Sequence, residues 1–271
     1  MMRTIFYISD RTAITAEALG HCLLVQFADL KFKEITMPYV DSREKIEAVV
    51  ERINRVASRE AKKPIVFTTL VSPMIRQIIN NCNALVLDPF DYFLRPLEAE
   101  LHTKPLHETG RSRRISDLDR YDNRIGAINF TLAHDDGAST HYERCDIILT
   151  GVSRCGKTPT CLYLALQFGI RAANFPLTEE MLNGETLPYS LRAHVDKLFG
   201  LTSDILRLHS VRSLRRPGSE YASRDQCRFE LRAAEGLFRV HNIPYLNTST
   251  HSIEEIASRI VHDRGLKRRY Y

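Results

Sequence analysis

The sequence predicts an α/β protein in which an N-terminal parallel-sheet domain is followed by a second α/β domain with more helix. Apolar, strand-like runs alternate with helical stretches along the first hundred residues, as is typical of parallel sheets covered by helices. The second half contains a glycine-rich motif between a short apolar run and a helical run. With 271 residues, of which 44% are apolar and 26% charged, the chain is long enough for two domains with their own cores.

The first domain, residues 1–104, is predicted to alternate four strands with four helices. The strands are short runs rich in β-branched and aromatic residues, at residues 4–9, 33–37, 64–70 and 84–87. The helices are expected at residues 12–27, 41–58, from 73 onward, and 91–102. Asp41 and Glu44 have the spacing of a capping box for the second helix. Ser72 followed by Pro73 is typical of a helix start.

Residues 105–122 lose the apolar periodicity and are predicted to form a linker. The segment contains Arg111, Arg113 and Arg114, so a second interpretation is an arginine-bearing loop that binds an acidic or phosphorylated partner. The sequence leaves both interpretations open. The N-terminal domain is assigned to partner recognition or regulation, and the second domain, residues 123–271, to catalysis.

The second domain is also predicted to contain a sheet with helices around it. Strands are expected at residues 124–132, 145–150, 170–175 and 244–247. Helices are expected at residues 161–168, 203–214 and 225–241, before a last helix that the capping box of Ser252 and Glu255 opens. No clear apolar strand ending in an aspartate follows residue 158, although ATPases with a glycine-rich phosphate loop usually hold magnesium with such a residue. No internal repeat is evident.

Residues 151–158 match the pattern G-x-x-x-x-G-K-[ST] of a phosphate-binding P-loop in full. The members of the motif are Gly151, Val152, Ser153, Arg154, Cys155, Gly156, Lys157 and Thr158. Glycines let the backbone aim several N–H groups at one anion, and the helix N-terminus adds its positive dipole end. Lys157 is expected to reach the outer phosphate, and the Thr158 hydroxyl is expected to bind Mg²⁺. The motif therefore predicts phosphate binding.

A phosphate-binding loop indicates what is held but not which reaction follows. The best acidic candidates are Asp135 and Asp136, about 15 residues upstream of the loop. In an extended chain adjacent carboxylates point to different sides, so one is expected to face the phosphates while the other caps the turn at Gly137. A carboxylate beside a bound phosphate can accept the proton of an attacking hydroxyl. Asp-Asp-Gly is also a common plain turn, and the sequence does not decide which aspartate is the base.

Two further loop residues have alternative interpretations. Arg154 is a candidate for steadying negative charge on phosphate oxygens in the transition state, but variable positions of such loops also point to solvent. Cys155 is interpreted as an inert small side chain rather than an oxidisable thiol.

A second candidate anion site lies where the first strand ends and the first helix begins. It contains Ser9, Asp10 and Thr12. The two hydroxyls, together with the N–H groups at the start of the helix, are suited to a phosphate. The favoured interpretation is that Asp10 or Thr12 merely caps the helix. Two basic clusters, at residues 207–216 (which include Arg212) and 264–269, are interpreted as solvated helix faces, because they lack the interleaved aromatic residues of nucleic-acid grooves.

Composition and charge exclude several classes of protein. No apolar run approaches the roughly 20 residues that span a bilayer, and the first residues lead into a strand rather than a signal peptide. The six cysteines form no C-x-x-C pair, so neither a zinc site nor a disulfide framework is indicated. A net charge of +5 suits phosphate ligands or an acidic protein partner and does not indicate nucleic acid. A reducing cytoplasm is the expected location.

Several motifs in the same order resemble the bifunctional regulators of phosphoenolpyruvate synthase and of pyruvate, phosphate dikinase. The motifs that carry the resemblance are residues 8–16, 134–137, 151–165, 197–202, 221–223 and 252–255. They are distributed over essentially the whole chain. Residues 12–17 and 167–174 are most similar to the branch that regulates phosphoenolpyruvate synthase. Arg11 departs from the small residue expected at its position, which leaves the role of the first anion site open.

The resemblance implies two opposed activities. The first is a serine/threonine kinase reaction that uses ADP rather than ATP to phosphorylate a threonine of phosphoenolpyruvate synthase and thereby inactivates that enzyme. The second is a phosphorylase reaction, in which inorganic phosphate removes the same phosphoryl group and pyrophosphate is released. ADP, inorganic phosphate and Mg²⁺ are the implied ligands, and a homodimer is expected from the resemblance alone.

The motif residues fit both directions of that chemistry. Lys157 and the loop N–H groups are expected to hold ADP with its β-phosphate as the transferable group, while Asp135 or Asp136 takes the threonine proton and returns it in the reverse direction. Without the resemblance, a small-molecule kinase or a non-catalytic nucleotide sensor would also account for the loop. The separate N-terminal domain speaks against a small-molecule kinase, because it offers more surface than such a substrate needs.

Overall fold

The computed structural model describes residues 2–27, 29–105, 116–138, 141–184 and 186–267, and of residues 116–121 it describes the backbone only. The chain divides into two compact units, Met1–Ser112 (unit 1) and Arg113–Tyr271 (unit 2). Each unit contains its own four-stranded parallel sheet with helices. The predicted α/β class and the parallel sheet of the N-terminal half are therefore confirmed, and the sheet of unit 2 is parallel as well.

Unit 1 alternates strands and helices as the sequence predicts, with the ends of the elements shifted by a few residues. The elements are β1 (Met2–Ile8), α1 (Ile14–Leu24), β2 (Lys31–Met37), α2 (Arg43–Glu60), β3 (Ile65–Thr68), α3 (Pro73–Ile79), β4 (Leu85–Leu87) and α4 (Pro89–Leu101). All neighbouring strands are parallel, and their order in the sheet is β2-β1-β3-β4. The first strand in the chain is therefore an inner strand of the sheet.

Both faces of the unit 1 sheet are covered, because successive side chains of β1 point to opposite faces. Phe6 and Ile8 pack into one apolar cluster with residues of α2 and α3. Ile5 and Tyr7 pack on the other face, where Ala16 of α1 joins them. Helices thus cover both faces of the sheet, as expected for a parallel sheet.

The capping residues predicted for α2 and α3 are partly wrong. Ser42 rather than Asp41 caps α2, since its hydroxyl accepts a hydrogen bond from the Lys45 N–H at 3.3 Å. Serine is as good a capping acceptor as aspartate, and Asp41 instead binds the Lys45 ammonium group at 2.6 Å. Pro73 does open α3, but the Ser72 hydroxyl makes no capping hydrogen bond.

The cap predicted for α1 is wrong as well. The residue before α1 is Ala13, which has a φ of 65° and provides no side-chain cap, so neither Asp10 nor Thr12 has the predicted role. The Asp10 carboxylate instead accepts a hydrogen bond from the Val71 N–H at 3.3 Å. Asp10 therefore ties the loop after β1 to the segment after β3.

The described residues of unit 2 form a second parallel sheet and seven helices. Its elements are α5 (Ser116–Ala133), β5 (Ile147–Gly151), α6 (Lys157–Phe168), β6 (Ala172–Pro176), α7 (Glu179–Asn183), α8 (Tyr189–Arg192), β7 (Leu198–Thr202), α9 (Ile205–Arg215), α10 (Arg224–Val240), β8 (Tyr245–Asn247) and α11 (Ile253–Asp263). The strand order is β6-β5-β7-β8, and all neighbours are parallel. The capping box of Ser252 and Glu255 at the start of α11 is confirmed.

Two predictions for unit 2 are wrong. Residues 124–132, expected as a strand, belong to α5, and the buried side chains of Ala127, Thr131 and His134 follow the helical spacing i, i+4, i+7. The same helix takes in the end of the predicted linker from Ser116 onward, while residues 106–115 lie outside the described residues. Sequence analysis also missed β7, a fully buried strand beside β5 that is followed by Asp204.

In the described part of the chain, no helix combines the length and apolar character that crossing a membrane requires.

Candidate functional site

The predicted phosphate-binding motif forms the turn between β5 and α6, and we call residues 151–158 the glycine loop. Because the loop follows the end of β5, an inner strand of a parallel sheet, it lies at the carboxyl edge of that sheet. Open α/β sheets bind ligands at this edge. Gly151 has a φ of 151°, and a Cβ atom there would lie 2.2 Å from the Leu201 carbonyl oxygen. Gly156, with a φ of 85°, directly precedes α6. The backbone therefore favours glycine at both positions.

Side chains from later segments of unit 2, among them Thr248 and Tyr221, contact the glycine loop. The Thr248 hydroxyl, just after β8, lies within hydrogen-bond distance of two carbonyl oxygens, that of Thr202 at 3.0 Å and that of Cys155 at 3.3 Å. The Tyr221 hydroxyl, between α9 and α10, lies 3.0 Å from Ser153 Oγ. The loop is thereby attached to the sheet edge and to the helical layer.

Lys157 is buried, with only 5% of its surface exposed. Its ammonium group donates a hydrogen bond to the Val152 carbonyl oxygen at 3.0 Å, and among the described residues no carboxylate forms an ion pair with it. Burial lowers the pKa of Lys157, and the nearby Cys155, Asp136 and Asp135 oppose that shift. A buried ammonium group without an ion-pair partner is costly, so the position favours a ligand that brings negative charge.

Asp135 contacts Thr158, the last residue of the glycine loop, and Asn174 joins Asp136 to the same group of side chains. The Thr158 hydroxyl donates a hydrogen bond to Asp135 Oδ1 at 3.0 Å. The side-chain nitrogen Nδ2 of Asn174, on β6, lies 2.6 Å from Asp135 Oδ1, 3.1 Å from Asp136 Oδ1 and 2.9 Å from Thr158 Oγ1. Two carboxylates, one hydroxyl and one amide thus form a compact polar cluster beside the start of α6.

The backbone conformation explains why both carboxylates reach the same place. Residues Asp135–Gly137 form a tight 3-10 turn in which Asp136 has a φ of 50°. The expectation that the two carboxylates point to different sides of an extended chain is therefore wrong, because the turn directs both toward Asn174. Their surroundings still differ, since Asp135 is half-buried and Asp136 is exposed.

His134 anchors the turn that carries the aspartates. Its imidazole nitrogens lie 2.8 Å from the Phe130 carbonyl oxygen and 3.0 Å from the His141 carbonyl oxygen. The ring also stacks on Phe130, with the centroids 3.9 Å apart. The His134 carbonyl oxygen accepts a hydrogen bond from the Asn174 N–H at 3.0 Å. These contacts attach the turn to α5 on one side and to β6 on the other.

The remaining two loop candidates have contrasting environments. Arg154 is exposed, with a φ of 77°, at the tip of the glycine loop. Cys155 is buried, and burial raises the pKa of its thiol to about 11. A buried thiol with a raised pKa is a poor nucleophile.

Three residues at the site, Asn174, Arg212 and Glu230, were not predicted from the sequence. The signal for Asn174 was its position as a polar residue within an otherwise apolar run, where burial demands a hydrogen-bond partner. Arg212 was expected on a solvated helix face, but this is wrong: it is fully buried and paired with Glu230. The two belong to different helices and are 18 residues apart, so their pairing appears only in the folded unit.

Comparison with known proteins agrees with the resemblance drawn from the motifs. The kinase/pyrophosphorylase family matches residues 5–261. A relative from Alkalilimnicola ehrlichii is 52% identical over 99% of this chain and 98% of its own length. Relatives from Alcanivorax borkumensis and from Legionella pneumophila strain Corby are 53% and 51% identical, over 99% of this chain and 99% and 100% of theirs. All three have the provisional name phosphoenolpyruvate synthase regulatory protein. Since both the family match and the relatives extend over nearly the whole sequence, the chain belongs to the kinase/pyrophosphorylase family.

Proposed function

We propose that this protein is a bifunctional enzyme: a serine/threonine kinase that uses ADP, and a phosphorylase that uses inorganic phosphate. The observation that carries the proposal is the polar cluster at the end of the glycine loop, where Asp135 accepts a hydrogen bond from Thr158 and the Asn174 side chain contacts both aspartates. The loop N–H groups and the buried Lys157 suit a phosphate, and the carboxylates place a proton acceptor beside it. The family description, kinase/pyrophosphorylase, is compatible with both directions.

The cluster at Thr158 has the chemistry of a magnesium site. Mg²⁺ prefers oxygen ligands and is commonly held by one or two carboxylates together with substrate phosphates. Asp135, Asp136 and Thr158 offer such oxygens, and Asn174 Oδ1 is buried without a hydrogen-bond partner among the described residues. When bound there, the ion would offset the negative charge of the phosphoryl group.

The two aspartates are proposed to have different roles. Asp135 Oδ1 already accepts hydrogen bonds from Thr158 and Asn174 and is half-buried, which suits a residue that holds magnesium with Thr158. Asp136 is exposed and makes one longer contact with Asn174, so its carboxylate is accessible to a hydroxyl on a protein substrate. Asp136 is therefore the proposed acid/base group.

In the kinase direction, the loop and Lys157 hold ADP with its β-phosphate at the start of α6. The substrate threonine oxygen attacks the β-phosphorus and forms a new P–O bond. The bond from that phosphorus to the bridging oxygen breaks, and AMP leaves with the electron pair. The threonine proton passes to Asp136. Arg154, at the exposed tip of the loop, is proposed to steady the charge of the transferred group.

In the phosphorylase direction, inorganic phosphate takes the place of the ADP phosphate on the loop. One of its oxygens attacks the phosphorus of phosphothreonine, so that pyrophosphate forms and the threonine oxygen leaves. Asp136 then donates the proton that the leaving oxygen needs. One carboxylate serves both directions, because general-acid departure is the reverse of general-base attack.

The protein substrate is proposed from the names of the relatives. These relatives are named for the regulation of phosphoenolpyruvate synthase, so a threonine of that enzyme is the proposed acceptor. Unit 1 is proposed to recognise that partner or to regulate the reaction. A homodimer, which is expected from the resemblance, and a cytoplasmic location, which is expected from the pattern of cysteines, belong to the same proposal.

The test is incubation of the purified protein with phosphoenolpyruvate synthase, phosphoenolpyruvate, Mg²⁺ and ADP labelled in its β-phosphate. We expect the label on a threonine of the synthase and an equal amount of AMP, and we expect labelled pyrophosphate after inorganic phosphate is added to the purified product. Asp136→Asn should lose both reactions. Asp225→Asn, which changes an exposed carboxylate paired with Arg228, is the matched control and should retain them.

Two outcomes would favour the alternatives. Label on a small molecule in the absence of the synthase would indicate a small-molecule kinase. Tight ADP binding with no transfer to any acceptor would indicate a nucleotide sensor. Either result would overturn the proposed function.

A further inference from the structure

Arg212, on α9, is the most deeply buried charged side chain among the described residues, with 0% of its surface exposed. Its two terminal nitrogens donate four hydrogen bonds. Nη1 donates to Glu230 Oε1 at 3.1 Å and to the Tyr221 carbonyl oxygen at 3.0 Å. Nη2 donates to Glu230 Oε2 at 2.6 Å and to the Ser153 carbonyl oxygen at 3.2 Å. One guanidinium group thus joins α9 and α10 to the glycine loop.

Tyr221 holds the same loop residue from a second direction. Its ring lies against the Arg212 guanidinium, 4.2 Å from the central carbon to the ring centroid, which is a favourable cation–π arrangement. Its hydroxyl lies 3.0 Å from Ser153 Oγ. Ser153 is therefore fixed through its backbone carbonyl by Arg212 and through its side chain by Tyr221.

Stability alone is a weak explanation for this buried ion pair. Removing two charges from water offsets most of their attraction, and apolar residues of similar size often stabilise a core equally well. A well-packed apolar pair, however, would offer no donor to the Ser153 carbonyl oxygen. The guanidinium group of arginine is planar and donates several hydrogen bonds, so it is suited to holding several groups in fixed relative positions. The bonds to the loop therefore point to a role in its conformation.

The conformation of the loop matters because its N–H groups can hold a phosphate only while they point to one place. Preorganised donors bind a developing or resident charge better than donors that must first be ordered. We propose that Arg212 and Tyr221, with Glu230 holding Arg212, are positioning residues that keep the glycine loop in its anion-binding conformation through Ser153. This proposal rests on the proposed function only in taking the loop as the nucleotide site.

Tyr221→Phe is the most selective test, because it removes the hydroxyl and keeps the ring against Arg212. We expect faster amide hydrogen exchange in the peptide that covers residues 152–156 of the unliganded protein. We expect ADP affinity, measured by calorimetry with Mg²⁺, to fall about tenfold, as for the loss of one well-placed hydrogen bond. The melting temperature should fall by no more than about 2–4 °C, the effect of one lost hydrogen bond in a unit of this size. Ser153→Ala should give a similar loss, and the double variant should be no worse than either single one, because both remove the same contact.

Arg212→Lys extends the test to the guanidinium, since lysine keeps the charge but cannot make the same set of bonds. We expect a larger loss of ADP affinity than for Tyr221→Phe and increased exchange in the same peptide. Arg228→Lys on α10 alters an exposed arginine that pairs with Asp225, and it should leave both measurements unchanged. Because Arg212→Lys leaves Glu230 with a poorer partner and can unfold the unit, Tyr221→Phe decides the question if that variant is not folded.

The results separate a positioning role from a structural one. Unchanged exchange and unchanged ADP affinity in Tyr221→Phe would overturn the proposal, and so would a larger fall in melting temperature with faster exchange throughout unit 2. Absence of ADP binding by the wild-type protein would overturn the proposed function instead. The exchange comparison would still decide whether the loop depends on Tyr221, since it needs no nucleotide.

Discussion

Unit 1 and unit 2 have the same sheet topology but different first loops. The strand orders are β2-β1-β3-β4 and β6-β5-β7-β8, so the first strand of each unit lies between its second and third. In each unit five residues, 9–13 or 152–156, separate that strand from the next helix. The residue before the helix has a positive φ in both, 65° at Ala13 and 85° at Gly156. The sequence shows no repeat, yet the arrangement of strands occurs twice.

The two loops differ in the charged side chains that an anion would meet there. The first helical residue is Ile14 in unit 1, which is 65% exposed, and Lys157 in unit 2, which is 5% exposed. In unit 1 the Asp10 carboxylate already accepts the Val71 N–H. Residues 152–156 contain no carboxylate. The two units therefore share a parallel sheet edge, and the residues of the loop are what distinguish the proposed phosphate site of unit 2 from the loop of unit 1.

Lys157→Met should have the largest effect, because it makes the first helical residue of unit 2 apolar like Ile14. We expect no measurable ADP binding and no phosphoryl transfer. Met should also make the unliganded protein at least as stable as the wild type near pH 7. Burial lowers the pKa of Lys157, so the native state binds its proton less tightly than the unfolded state and pays a cost below the ordinary lysine pKa. That cost shrinks as pH rises through the lowered pKa toward the ordinary value.

The measurement is the melting temperature of both proteins with and without ADP, from about pH 7 to about pH 10. ADP should raise the melting temperature of the wild type only. The stability difference between the unliganded proteins should narrow at the alkaline end. Lys45→Met, which removes a surface lysine paired with Asp41, is the control and should keep the full response to ADP. An ADP response in Lys157→Met would contradict the assignment of the glycine loop as the nucleotide site.

Asp136→Asn should have the next largest effect, on turnover rather than on binding. Loss of a general base typically lowers a rate by about 10² to 10⁴-fold. ADP affinity should stay within a few-fold of the wild type, because Asn keeps the size of the side chain and its contact with Asn174. Asp135→Asn should instead weaken the dependence on Mg²⁺, raising the magnesium concentration needed for half-maximal rate. If Asp135→Asn lost turnover with unchanged magnesium dependence while Asp136→Asn stayed active, the two assignments would be reversed.

The sequence predicts unit 1 better than unit 2 for a physical reason. In unit 1 the inner strands β1 and β3 contain short apolar runs next to polar residues, so pattern and structure coincide there. In unit 2, β7 contains Gly200, whose missing side chain makes room for Phe238 and weakens the strand pattern. Residues 124–132 contain enough β-prone residues to suggest a strand, although their burial follows a helical period. Local preference was overridden there by packing against the rest of the unit.

The candidate site shows the same division between local and distant information. The glycine loop is a continuous motif, so its residues and its place between β5 and α6 were predictable. Asp135 and Asp136 were predictable as candidates, but their orientation was not, because it depends on the positive φ of Asp136. The Arg212–Glu230 pair joins two helices and leaves no local signal. Residues that contact the site from distant segments require the folded structure.

Gly156→Ala tests the difference between the two loops with a single methyl group, because it gives unit 2 the residue that precedes the helix in unit 1. Alanine already occupies the equivalent position in unit 1, so the variant should fold, with a loss of about 1 kcal/mol for a left-handed alanine. Apart from Gly156 itself and its two chain neighbours, no atom of the described residues lies within 4 Å of a Cβ placed on Gly156, so the added methyl enters open space next to the loop. If a phosphate occupies that space, ADP affinity should fall by about tenfold, or about 1.4 kcal/mol. Calorimetry that finds unchanged affinity would place the phosphate elsewhere.

Asp10→Ala should have the smallest effect and addresses the loop of unit 1. The change removes the acceptor of the Val71 N–H, a hydrogen bond of 3.3 Å, so we expect about 1 kcal/mol less stability in denaturant unfolding. Asp10→Asn keeps an acceptor oxygen and should lose less. Neither variant should alter ADP affinity or phosphoryl transfer, since the unit 1 loop lacks the buried lysine that distinguishes unit 2. A change in ADP affinity in both variants would mean that the two loops share the nucleotide-binding role, and the contrast drawn between the units would fail.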